Sequence, residues 1–179
     1  MSSLQIPYYV WKTEQQIQER VRELAGQIEA DFAGDQLYVL GILRGCFVFM
    51  ADLIRNIELD VFIHFINLYY RDVPMEHAGM REVEETVVYP SFQYEGKNIL
   101  IVGSVLDTGV VNNHLLEQIR VQQPRKLRLA MLIDKKFMRK VDLRADYVAF
   151  EDERNDYIFG YGLEYGESQR NLPYLAKLK

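Results

Sequence analysis

Ile99, Leu100, Ile101 and Val102 form an unbroken apolar run between Lys97-Asn98 and Gly103. A run this short, with no polar alternation, predicts a strand buried on both faces. Asp107-Thr108-Gly109 follows, and Val110, Val111, Leu115, Leu116 and Ile119 then recur at helical spacing. The stretch therefore predicts strand, small-residue loop and helix. Leu37 to Ile42 and Leu127 to Ile133 are two further buried-strand candidates, ending at Leu43-Arg44-Gly45 and Asp134-Lys135. Ile17, Val21, Leu24, Ile28 and Phe32 define one apolar face of a helix, opened by the capping-box pair Thr13 and Gln16 and stopped by Gly34-Asp35. Phe47 to Ile57 predicts a second helix with Met50, Leu53 and Ile54 inward. Val61 to Leu68 reads as a strand.

Residues 70–85 are charged and lack clean periodicity, which predicts a long loop, with Thr86 to Tyr89 a strand returning from it. Beyond residue 141 the rhythm changes. Tyr147–Phe150, Tyr157–Tyr161 and Tyr174–Leu178 are short aromatic-rich strand candidates without full helices between them, and Asp152 to Asp156 is a polar turn. Strands alternating with helices predict an α/β fold with a mostly parallel sheet flanked by helices. The expected organisation is a single domain over 1–179. Its core covers about 13–140, and a small C-terminal hood lobe is formed by about 141–179 with the N-terminal segment 1–12. Ligands of such sheets bind beyond the carboxyl ends of the strands, where Gly45, Asp107 and Lys135 all fall.

Composition narrows the function classes. Of 179 residues, 49% are hydrophobic and 26% charged, the balance of a globular protein with a sizeable core. No apolar run approaches the roughly 20 residues that cross a bilayer, and the first residues lack a signal-peptide pattern. The expectation is a cytoplasmic protein with no membrane partner. A net charge of -5 argues against a nucleic-acid partner. The lone Cys46, among Phe47, Val48 and Phe49, reads as a buried inert thiol, and His64, His77 and His114 lack metal-ligand spacing.

The loop at Asp107-Thr108-Gly109 has the form that offers backbone N–H groups and a helix N-terminus to a phosphate. Its plainer reading is ordinary helix capping. Three blocks go further. Leu43-Arg44-Gly45 with Phe49-Met50-Ala51-Asp52-Leu53-Ile54, Leu132-Ile133-Asp134-Lys135 with Arg139-Lys140-Val141-Asp142, and Gly160-Tyr161-Gly162-Leu163-Glu164-Tyr165 running to Arg170-Asn171-Leu172-Pro173-Tyr174 resemble the hypoxanthine-guanine (6-oxopurine) phosphoribosyltransferases over nearly the whole chain.

That resemblance implies a type I phosphoribosyltransferase-like core and purine salvage. Hypoxanthine or guanine would react with magnesium-bound phosphoribosyl pyrophosphate to give IMP or GMP and pyrophosphate. It implies pyrophosphate contacts from Leu43, Arg44, Gly45 and Arg170, and a Mg2+ ligand in Glu164, which stands where the family has Asp. The 5′-phosphate would lie against Asp107, Thr108, Gly109, Val110 and Val111, with Asp107 the catalytic carboxylate near the purine's imidazole nitrogen, as general base or charge stabiliser. Lys135 would read the exocyclic oxygen, Tyr157 would stack on the base, and Ile158 would add backbone contacts. The 70–85 loop would close over them. A homodimer or homotetramer is expected on the same ground.

The chain also departs from the family pattern. Gly103 and Ser104 stand where the family carries the Glu-Asp that holds the ribose hydroxyls, and Val111 replaces a Thr. Two lost charge-assisted hydrogen bonds cost about 3–6 kcal/mol, roughly a hundredfold to ten-thousandfold in affinity or rate. Three readings follow: an active transferase with reduced activity, a regulatory paralogue that binds purine nucleotides or phosphoribosyl pyrophosphate, and a silent structural subunit.

Overall fold

The central parallel strands, Leu37–Leu43 and Asn98–Leu106, are apolar on both faces, so each must be covered twice, and the connections are arranged accordingly. The computed structural model describes residues 7–74, 81–88 and 92–179, with backbone only for 69–74 and 81–88. In chain order the elements are β1 (Tyr8–Lys12), α1 (Glu14–Asp31), β2 (Leu37–Leu43), α2 (Phe47–Arg55), β3 (Val61–Pro74), β4 (Arg81–Val88), β5 (Asn98–Leu106), α3 (Val110–Arg120), β6 (Lys126–Asp134), β7 (Tyr147–Glu151), β8 (Ile158–Phe159) and β9 (Leu175–Leu178), with a short 3-10 turn at Lys136–Met138 after β6.

Six strands form one sheet in the order β4-β3-β2-β5-β6-β7. The five from β3 to β7 are parallel, and β4 runs antiparallel on the edge. The side-chain period of two sorts β5 cleanly: Leu100 and Val102 join the α1/α2 core, while Ile99 and Ile101 join the α3 core. From β2 the chain crosses by α2 to β3 on one side, and from β5 it crosses by α3 to β6 on the other. The pair β2/β5 is thus the topological switch point, which opens a crevice at the strands' carboxyl ends.

The expected capping box is present. Gln16 N–H donates to Thr13 Oγ1 at 3.3 Å, and Thr13 N–H donates to Gln16 Oε1 at 3.0 Å. All five apolar positions of the face from Ile17 to Phe32 are buried.

Two expectations change. The stretch 70–85 is not one long loop, because residues 67–74 pair antiparallel with 81–88. Its charged side chains hid the hairpin, since an edge strand tolerates polar residues on both faces. Residues 75–80, with His77, and 89–91 lie outside the described residues. Tyr147–Phe150, expected in the hood, is instead strand β7 at the other edge of the large sheet, parallel to β6. Arg20 of α1 fixes it there, donating to the carbonyls of Val148 at 2.8 Å and Ala149 at 3.1 Å.

The second sheet is small, three antiparallel strands in the order β1-β9-β8. It joins N- and C-terminal segments of the described chain and is tied to α2 by a buried phenol. Tyr161 Oη donates to Asp52 Oδ2 at 2.6 Å, and Gln18 Nε2 donates to the same oxygen at 2.7 Å. Burial, with that carboxylate beside it, raises the Tyr161 pKa.

Burial also pushes the Cys46 thiol up to about 12, against a small lowering by a backbone hydrogen bond. The fold therefore favours the protonated thiol. This contribution to stability is complete below pH 9, the ordinary value, and fades as pH rises towards 12. Iodoacetamide at pH 8 should leave native Cys46 unmodified and label it only after denaturation, read by mass spectrometry. Thr13→Ala should lower unfolding stability by about 1 kcal/mol in urea titrations.

Candidate active site

The crevice is a cavity of ≈ 1040 Å³. Each parallel strand but β7 reaches the wall, β3 at the point where its parallel pairing with β2 ends. From β2 and its exit come Leu43, Arg44 and Gly45, from β3 Asn67 and Leu68, from β5 Ser104 and Val105, and after β6 Lys135. The opposite wall is the segment entering and leaving the small sheet: Asn155, Asp156, Tyr157, Ile158, Leu163, Glu164 and Arg170. Residues 43–45, 104, 135, 157, 158, 164 and 170, scattered over most of the sequence, thus meet at one place. Asn67, Leu68, Val105, Asn155 and Asp156 are additions that lie outside the three motif blocks, and Leu163 is one that a block contained without a role.

Two cations at this site, Arg170 and Lys135, already hold partners. Arg170 donates to the Gly162 carbonyl at 2.8 Å and is ion-paired with the Glu164 carboxylate. The proposed pyrophosphate cation and the proposed metal ligand therefore neutralise one another. Lys135 Nζ donates to the Asp156 carbonyl at 2.8 Å and stands 3.6 Å from Asp152 Oδ2. Arg44 has no ion pair among the described residues, and the peptide bond before it is cis. Tyr157, 49% exposed, offers a ring edge-on to Tyr165 at 5.7 Å and donates its hydroxyl to the Glu164 carbonyl at 3.1 Å.

The Asp107–Val111 segment does not line this cavity. It borders it through the backbone: Lys135 N–H donates to the Leu106 carbonyl at 2.9 Å, and Lys140 N–H to that of Thr108 at 2.9 Å. Arg139 reaches the Asp107 carbonyl at 2.5 Å and is ion-paired with buried Asp134, so it braces the loop from outside. Asp107 is exposed, and its carboxylate accepts the Thr108 N–H at 2.6 Å. Gly109, at φ +77°, turns the chain into α3 in a left-handed conformation, and offers no side chain to cap that helix. Thr108 Oγ1 accepts the Val110 N–H at 3.5 Å, which leaves the N–H groups of Val111 and Asn112 for an anion. Asn113 is committed to its own helix, donating to Glu117 at 3.0 Å, and Asn112 is buried.

Gly103 is more than a missing acid. A Cβ built there would lie 2.6 Å from Met131 Cε and 2.7 Å from its sulfur. The thioether of the neighbouring strand occupies the space that a side chain at 103 would need. Ser104 faces the other way, its hydroxyl 2.6 Å from where a Gly45 Cβ would stand. From β5 the cavity is therefore offered one hydroxyl and no carboxylate.

Among the described residues no group of three or more His, Cys, Asp or Glu is arranged to hold a metal. Glu164 is a single, half-exposed carboxylate facing the cavity. A lone carboxylate fits Mg2+ that arrives on a phosphate and keeps several waters.

A phosphoribosyl transferase domain matches residues 12–167. The hypoxanthine-guanine phosphoribosyltransferase of Aquifex aeolicus is 35% identical over 161 residues, which is 89% of this chain and 88% of that protein. That of Dictyostelium discoideum is 36% identical over 171 residues, 93% of each. A crystal structure of a hypoxanthine-guanine phosphoribosyltransferase from Bacillus anthracis superimposes with a TM-score of 0.82 at 36% identity, covering 98% of this chain and 100% of that one. With its five-stranded parallel sheet, its crevice at β2/β5 and these likenesses along nearly its whole length, the chain belongs to the hypoxanthine-guanine phosphoribosyltransferase family.

Proposed function

We propose that this protein is a purine-salvage phosphoribosyltransferase that converts hypoxanthine or guanine and phosphoribosyl pyrophosphate to IMP or GMP and pyrophosphate. The observation that carries this reading is the convergence of Arg44, Lys135, Tyr157, Glu164 and Arg170 on one cavity at the switch point. The whole chain, 1–179, acts as one domain in the cytoplasm, the small sheet roofing the large one.

In this reading the purine lies against Tyr157, with Ile158 at its edge and the Lys135 ammonium donating to the exocyclic oxygen. Asp107 takes up the imidazole proton as the ring nitrogen bonds to C1′ of the ribose and the C1′–pyrophosphate bond breaks. The Asp107–Val111 backbone and the α3 N-terminus hold the 5′-phosphate. Arg44, the Gly45 backbone and Arg170 receive the departing pyrophosphate, whose developing charge needs fixed donors more than covalent help. Mg2+, held by Glu164 together with the substrate's phosphates, would neutralise that charge. For Arg170 and Glu164 to act so, their mutual ion pair must open.

The sugar side favours a second reading. With Met131 filling the space beside Gly103, ribose is held by fewer acceptors, which suits a binding or structural paralogue of low turnover. Magnesium-dependent pyrophosphate release, measured with hypoxanthine, guanine and xanthine in turn, separates the two. Release is expected with hypoxanthine and guanine. No release with any base, together with tight nucleotide binding by calorimetry, would select the second reading.

The combined change Gly103→Glu, Ser104→Asp and Met131→Ala should lower the KM for phosphoribosyl pyrophosphate by about tenfold or more. Gly103→Glu alone, forced against Met131, should instead lose about 1–3 kcal/mol of stability.

Self-association completes the proposal. Phe47, Ile63 and Phe65 are 44–45% exposed, and Phe65 lies on the α2 face of β3 beside Met50 and Cys46. Sedimentation should give a dimer or tetramer, and Phe65→Lys should shift it to monomer.

A further inference from the structure

Under the small sheet lies a cluster of charges that the reaction above does not use. Asp152, just after β7, is 3% exposed, and Lys177, in the middle of β9, is 4% exposed. Lys177 Nζ donates to Asp152 Oδ1 at 2.5 Å and to Asp156 Oδ2 at 3.2 Å, and sits 4.3 Å above the Trp11 ring. The second oxygen of Asp152 is buried without a hydrogen-bond partner among the described residues, and it faces Lys135 Nζ at 3.6 Å. Lys135 itself donates to the Asp156 carbonyl at 2.8 Å. Two ammonium groups and two carboxylates therefore form a neutral quartet that runs from the base wall of the cavity into the hood.

We propose that Asp152 and Lys177 are positioning residues for purine recognition, holding Lys135 and the 152–156 turn in the arrangement that reads a 6-oxo group. The inference rests on the base-site reading above. An ammonium has three N–H donors. In this geometry one is taken by the Asp156 carbonyl and a second is drawn towards Asp152, which leaves one for the cavity that Lys135 lines. Lys177 acts one step back. It grips both carboxylates of the 152–156 turn, so the carbonyl and the carboxylate that orient Lys135 move as a unit. Tyr157 and Ile158 follow immediately in the chain, so the same grip sets the stacking ring and the edge contact. The unpartnered Asp152 oxygen serves this role: a buried acceptor without a hydrogen bond is costly, and keeping the Lys135 ammonium opposite it offsets that cost.

The test compares IMP with AMP, which differ at the group Lys135 would read, by calorimetry on the full-length protein, and adds steady-state kinetics where turnover permits. Wild-type protein should prefer IMP. Asp152→Asn and Lys177→Met should each erode that preference, weakening IMP by about ten- to a hundredfold while leaving AMP unchanged. In kinetics the KM for hypoxanthine should rise while the KM for phosphoribosyl pyrophosphate stays put. Lys177→Arg should restore much of the preference, because it keeps the charge and the donors. Removing one charge could unfold the hood, so the double variant Asp152→Asn with Lys177→Met, which loses no net charge, is measured beside them with thermal melting as the control. A folded double variant that discriminates as well as wild type overturns the positioning role and leaves the base-site reading intact. A wild-type protein that binds IMP no better than AMP overturns that reading and the inference with it.

Discussion

The constraint behind everything else is that the central strands are apolar on both faces. β5 cannot face water on either side, so helices must cover it twice, and the crossovers must leave β2 and β5 in opposite directions. That divergence leaves the carboxyl ends of the two strands uncovered. The roof over them has to come from elsewhere in the chain, and it is built from the segments around residues 155–170. The binding crevice is thus a by-product of burying hydrophobic surface.

Charge is arranged on that frame by local neutrality. Arg170 faces Glu164, Arg139 faces Asp134, and Lys135 leans on Asp156 and Asp152. Such pairs keep cations in a partly buried crevice without an isolated charge, whose desolvation would be costly. They also set the cost of binding, since an anionic ligand must compete with the carboxylates already in place. The exchange suits a polyphosphate, which returns several charge-assisted hydrogen bonds at once. Beside Gly103 compensation is of another kind, a thioether filling the volume.

The periodic patterns carried much of the architecture. The face from Ile17 to Phe32, the Thr13–Gln16 cap and the runs at 37–42, 99–102 and 127–133 all became the expected elements, because burial on a helix face or a two-sided strand leaves a regular trace. The signal failed at one edge of the sheet, where β4 and the end of β3 are polar. At the other it marked Tyr147–Phe150 as a strand but not the sheet that β7 joins, since strand pairing leaves no local trace.

What the sequence determined alone was the layered α/β fold, the strand-end positions of Gly45, Asp107 and Lys135, and the kinship carried by its three motif blocks. Those follow from short-range periodicity and from residue types at fixed spacing. Only the tertiary structure decided that Met131 fills the space beside Gly103, that Glu164 and Arg170 close on each other, and that Lys177 lies buried against Asp152. These are contacts between residues on different strands or turns, and whether a charge or a void is satisfied depends on which groups the fold brings within a few ångströms of it.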